Sequence, residues 1–171
     1  RSPMGIALYT RPSDKTIFVI VGRKNGPIEG YLEQYKLSDN GEGKLKMDLV
    51  RTFGKFSGKK EIESIAVDNE LGFVYYSDEQ FGIRKYYADP QKGNQELAVF
   101  GQGEFLEDNE GISIYKFDDG TGYILVSNQS ANKFNIYPRE GSKEDTHQHY
   151  LMSSIPFSTN QSDGSDVTSF S

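Results

Sequence analysis

The chain has 171 residues, 19 Lys and Arg against 25 Asp and Glu, and a formal net charge of −6. That length supports one domain with a real core, and the acidic balance argues against a nucleic acid partner, because phosphate backbones need a basic face. Cysteine is absent, which excludes disulfides and thiolate metal sites, and no apolar run approaches the roughly 20 residues a membrane-crossing helix needs.

In chain order, short alternating runs separated by turn residues dominate, as expected for an all-β fold. "MGIALY" (Met4 to Tyr9) opens a first unit, followed by the turn "RPSDKT", then "IFVIVG", "YLEQYKL" and "KLKMDLVRTF". "ESIAV" (Glu63 to Val67) opens a second, followed by "DNELG", "FVYYSDE", "IRKYYA" and "ELAVFG". "EGISIY" (Glu110 to Tyr115) opens a third, followed by "KFDDGTG", "YILVSNQ", "KFNIYPR" and "HYLMSSIPF". A repeat of roughly 45 to 60 residues with four strands is the size of a β-propeller blade. The expected blades are residues 4–55, 56–103 and 104–160, with a further strand beginning over 163–171. A β-sandwich has similar strands but no opening motif repeated at this interval. Three blades do not close a ring, so the chain reads as a segment of a longer protein or as one that closes against another copy. It opens on Arg1 and carries no recognisable signal peptide.

In a blade, the start of the first strand and the end of the antiparallel second strand lie at one end. Those positions hold Met4 and Gly22-Arg23-Lys24 in the first unit and Glu63 and Glu79 in the second. In the third they hold Glu110 and Gln129, with Asp108 just outside. Radial repetition brings them to one rim. Converging carboxylates and an amide oxygen form a hard, oxygen-only ligand set, which suits Ca²⁺, then Mg²⁺ or Mn²⁺, and disfavours zinc. Each acid taken singly also reads as a turn cap or a solvated side chain. Lys24, Arg23 and Lys60 on the same rim complement an anion bridged to the metal.

Other features carry less. "HQH" (His147 to His149) reads as a surface loop, and Ser153-Ser154 has no placed His and Asp. "NQS" at Asn128 and Asn160 matches a glycosylation acceptor by chance. "DDGTG" (Asp118 to Gly122) is a hairpin turn, and Tyr75, Tyr76, Tyr86 and Tyr87 read as packing between blades.

The pattern "EIESIAVDNELGFVYYSDE…IRKYYADP" followed by "EDNEGISIY…GTGYILVSNQSANKFNIYPREG" resembles the β-propeller phytases, the alkaline, calcium-dependent kind, from Met4 to about Val167. The resemblance implies half of a six-bladed propeller that hydrolyses phosphate monoesters of myo-inositol hexakisphosphate, with several Ca²⁺ ions lining a cleft at the top of the channel. It implies metal ligation by Glu63, Glu79, Asp108, Glu110, Gln129 and Asp163, and phosphate binding by Lys24. Glu79 also helps the attacking water. The sequence departs from the family at Asn25, where an acid is common, and at Met4, where some members have tyrosine. The reading implies a monomeric, secreted or periplasmic bacterial enzyme acting on a small molecule, with no nucleic acid or membrane partner. Two rivals stand beside it: a six-bladed hydrolase of the lactonase or esterase type with one axial calcium, and a non-catalytic interaction propeller rigidified by calcium.

Overall fold

The computed structural model describes residues 2–170 and is all-β. The first sheet contains β1 (Pro3–Thr10), β2 (Ile17–Arg23), β3 (Glu29–Asp39) and β4 (Leu45–Lys55). The second contains β5 (Ile65–Asp68), β6 (Phe73–Asp78), β7 (Gly82–Tyr87) and β8 (Glu96–Phe100). The third contains β9 (Asn109–Lys116), β10 (Gly122–Asn128), β11 (Lys133–Pro138) and β12 (Ser153–Pro156). Each is antiparallel, with strands paired in chain order. These are three successive propeller blades.

Period-two alternation explains how the blades stack. Tyr76 packs into a core with Tyr9, Phe18, Ile20 and Leu32 of the first blade. Its neighbour Tyr75 points the other way, into a core with Ile112, Ile124 and Tyr137 of the third. The second blade therefore has no solvated face, and its strands carry apolar residues on both sides. Turns are fixed by acids: Asp68 accepts from the backbone N–H groups of Glu70 and Leu71 at 3.1 and 3.0 Å, and Asp119 accepts from that of Thr121 at 3.0 Å.

The inner strands approach closely. A Cβ on Gly5 would lie 2.2 Å from the Glu63 carbonyl oxygen, and one on Gly111 would lie 2.3 Å from Gly164 Cα. Only glycine admits a neighbouring backbone at that distance. The Gly111 N–H donates to the Asp163 carbonyl at 2.8 Å, so residues 162–165 lie beside β9 as Glu63 lies beside β1.

Two expectations need correction. Residues 163–170 form no strand, because among the described residues they have no antiparallel partner beyond isolated bonds to β9; Ser171 lies outside the described residues. His149 is not on the surface: it is buried, its Nδ1 bonded to the Pro138 carbonyl at 2.7 Å and its Nε2 3.0 Å from Lys85 Nζ. Burial and the Lys85 charge push the imidazole down to about 4, so it is neutral and accepts from the lysine. Asn128 is buried too, bonded to Leu106 N–H and the Glu104 carbonyl, which agrees with the reading of its NQS match as chance.

Candidate metal centre

Lys24, Glu79 and Gln129 occupy equivalent places, each just beyond a second strand. The backbone N–H of each donates to the residue two before the head of its own blade's inner strand: to Ser2 at 2.8 Å, Glu61 at 3.1 Å and Asp108 at 3.2 Å. Against these strand ends lie Glu63 and Glu110, at the inner-strand heads of the following blades, and Asp163, in the non-strand segment beside β9. The contacts between blades repeat as well. The Ser77 hydroxyl donates to the Glu110 carbonyl, and the Ser127 hydroxyl donates to the Ser162 carbonyl, both at 2.6 Å.

This stacking brings Glu63, Glu79 and Glu110 together, with one carboxylate oxygen from each within 4.8 Å of the others. Glu79 and Glu110 are 1% and 5% exposed, and Glu63 is more open. Burial pushes the Glu79 carboxyl up to about 7 despite its ion pair with Lys60. Burial, then the Glu79 and Glu63 charges, pushes Glu110 up to about 8. Glu63 is raised by burial and by a hydrogen bond shared with Glu61, which that same bond and Lys24 hold low.

The three converging carboxylates have raised pKa values, and the Lys60 ammonium on Glu79 Oε2 does not offset all three charges. Glu79 Oε1 is buried and has no hydrogen-bond partner, a state that native folds avoid unless a ligand or ion satisfies the atom. The donor set is all oxygen and anionic, so the residues fit a hard divalent cation.

The remaining predicted site residues surround this cluster. Asp108 is nearly buried and accepts from Lys60 Nζ and, at 3.1 Å, from Gln80 Nε2. Gln129 donates its side-chain amide to the Asp163 carboxylate. Lys24 Nζ lies 3.3 Å from Glu61 Oε1, with about half its side chain exposed. Lys60 Nζ lies 3.1 Å from Glu79 Oε2, and its two carboxylate partners, Asp108 first, hold it above the usual lysine range. Arg23 is tied into its own blade: it donates to the Tyr31 and Gly30 carbonyls at 3.1 Å and lies 3.6 Å from Glu33 Oε1. Sequence reasoning did not place Glu61, Ser77 or Gln80. The signals were present, in the i, i+2 spacing of Glu61 and Glu63 and in the match of "SDE" to "SNQ".

The family model described as Phytase matches residues 3–171. A 3-phytase of Bacillus subtilis (strain 168) is 29% identical over 169 residues, which cover 97% of this chain and 42% of that relative. The chain thus spans less than half the length of this curated relative. From its match over almost every residue, the chain belongs to the phytase family.

Proposed function

We propose that the full-length protein hydrolyses phosphate monoesters of myo-inositol hexakisphosphate, in the manner of a calcium-dependent 3-phytase, and that this chain supplies the carboxylate side of its cleft. The observation that carries the reading is the convergence of Glu63 with the buried Glu79 and Glu110, together with the unpartnered Glu79 oxygen. Its support is family membership and a relative named 3-phytase.

Glu63, Glu79 and Glu110 would hold the cation, on inner-strand heads and a strand end that cannot drift apart without unstacking the blades. Bound there, Ca²⁺ supplies positive charge that neutralises phosphoryl oxygens and acidifies a water. Glu79 orients the attacking water and takes its proton. Lys24, whose ammonium is exposed on the rim, holds a neighbouring phosphate as a point charge. No side-chain nucleophile is required. The test is phosphate release from phytate by the full-length protein, measured with calcium, with chelator, and after calcium is restored. Activity unaffected by chelation would overturn the metal reading.

A further inference from the structure

Lys60 stands between two carboxylates from successive blades. Its ammonium contacts Glu79 Oε2, at the end of the second blade's β6, and Asp108, at the entrance to β9 of the third. The backbone on both sides of it is pinned. Ser57 donates to Asp78 through its N–H at 2.8 Å and its hydroxyl at 2.7 Å. Lys59 Nζ donates to the Gln80 carbonyl at 2.8 Å, and the Glu61 carbonyl accepts from the Glu79 N–H at 3.1 Å. Asp78 is in turn held by Arg84 Nε at 2.8 Å, and Gln80 also fixes the second oxygen of Asp108. The lysine is therefore delivered to its place by the fold.

This contact divides the Glu79 carboxylate. Oε2 is taken by the ammonium, while Oε1 is buried without a partner. Two carboxylates from separate chain segments sharing one cation is an arrangement that otherwise gathers a metal ion. An ammonium is a compact point charge with three donors, and it meets the same oxygens. Two cations on one carboxylate repel each other.

We propose that Lys60 is a resident cation that takes the place of one divalent ion in the cleft. It occupies the Glu79–Asp108 position and confines metal binding to Glu63, Glu79 and Glu110. This inference rests on the reading that the trio binds a divalent cation. It assigns Lys60 to the metal centre rather than to substrate phosphate.

The test counts bound calcium on the full-length protein, by equilibrium dialysis with elemental analysis and by calorimetry. Lys60→Met keeps the aliphatic stem and removes the charge, and Lys60→Gln supplies an uncharged polar alternative. Both should bind one more ion per chain than the wild type at saturating calcium, and Lys60→Arg should keep the wild-type count. An unchanged or lower count in Lys60→Met and Lys60→Gln overturns the proposal. A second measurement needs no variant: in the wild type, the Lys60 Nζ resonance should stay hydrogen-bonded through a calcium titration, and its release overturns the proposal. A wild-type protein that binds no calcium would sink the metal reading itself, which the wild-type arm alone reveals.

Discussion

The Ser77 hydroxyl donates to the Glu110 carbonyl at 2.6 Å, joining the end of β6 in one blade to the head of β9 in the next. Ser77 is two residues from Glu79 and fixes Glu110 by its backbone, so the spacing of the carboxylates proposed to hold the metal is set by how the blades stack. The same bond recurs one blade on, from Ser127 to Ser162.

Ser77→Ala removes this donor and leaves a carbonyl in the interface unsatisfied. The expected loss is about 1 kcal/mol of stability, rising toward 3 if no water replaces the hydroxyl. Calcium affinity should fall with it, since Glu110 loses its register. Urea unfolding with and without calcium measures both. An unchanged midpoint and an unchanged calcium affinity would show that stacking alone holds Glu110.

Arg139 is fully buried and joins the third blade to the second. It contacts both Asp68 oxygens, with NH2 to Oδ1 at 2.9 Å, reaches Glu70 at 2.9 Å, and donates to the Thr121 carbonyl at 3.1 Å. Arg139→Met strands the Asp68 charge in the interface and should cost about 3–5 kcal/mol. Adding Asp68→Asn should recover part of that loss, because the amide oxygen still caps Glu70 and Leu71 without a charge. A double variant no more stable than Arg139→Met would show that the stranded charge is not the cause.

The raised carboxyls set a pH dependence with a definite sign. Glu79 near 7 and Glu110 near 8 lie above the ordinary carboxylate value of about 4.3. In metal-free protein the folded state therefore holds more protons than the unfolded state between those limits. Their contribution to stability is complete below about pH 4.3 and is lost as pH rises through 7 to 8. On the proposed reading calcium takes the ionised forms, so the gain in melting temperature from calcium should grow over that same window, with protons released on binding. Melting curves from about pH 5 to pH 9, with chelator and with calcium, check this. A calcium increment independent of pH would be incompatible with it.

The blades were legible because inner strands wedged between neighbours repeat one opening, seen in "MGIALY", "ESIAV" and "EGISIY". Tyr75 and Tyr76 were legible for a related reason: a strand buried on both faces needs large apolar groups at successive positions. Convergence of Glu63, Glu79 and Glu110 followed from antiparallel geometry. The partners of Lys60 and Asp108 did not, since residues 56–64 are not strand and side-chain direction there has no period. His149 was misread because its burial depends on Lys85, 64 residues away, and no local pattern encodes that contact.

The catalytic face gives an ordering of effects. Glu63→Ala and Glu79→Ala each remove a charged oxygen ligand from chain flanking β5 and β6, where the Glu79 N–H is fixed on the Glu61 carbonyl. The neighbouring acids already have partners, Glu61 in Lys24, Asp108 in Lys60 and Gln80, and Asp163 in Gln129, which disfavours their moving in to replace it. Phytate hydrolysis in the full-length protein should fall by about 100-fold or more in turnover, as when an electrostatic stabiliser is lost. Lys24→Ala removes one exposed charge-assisted phosphate contact. It should mainly raise KM, by about 10-fold, with a smaller loss in kcat. Asp118→Ala lies in the exposed β9–β10 turn and should leave both constants near wild type. Melting curves in chelator establish that each variant is folded before its kinetics are compared. Folded Glu63→Ala and Glu79→Ala proteins with near-normal turnover would assign both acids a structural role and remove the basis of the proposed mechanism.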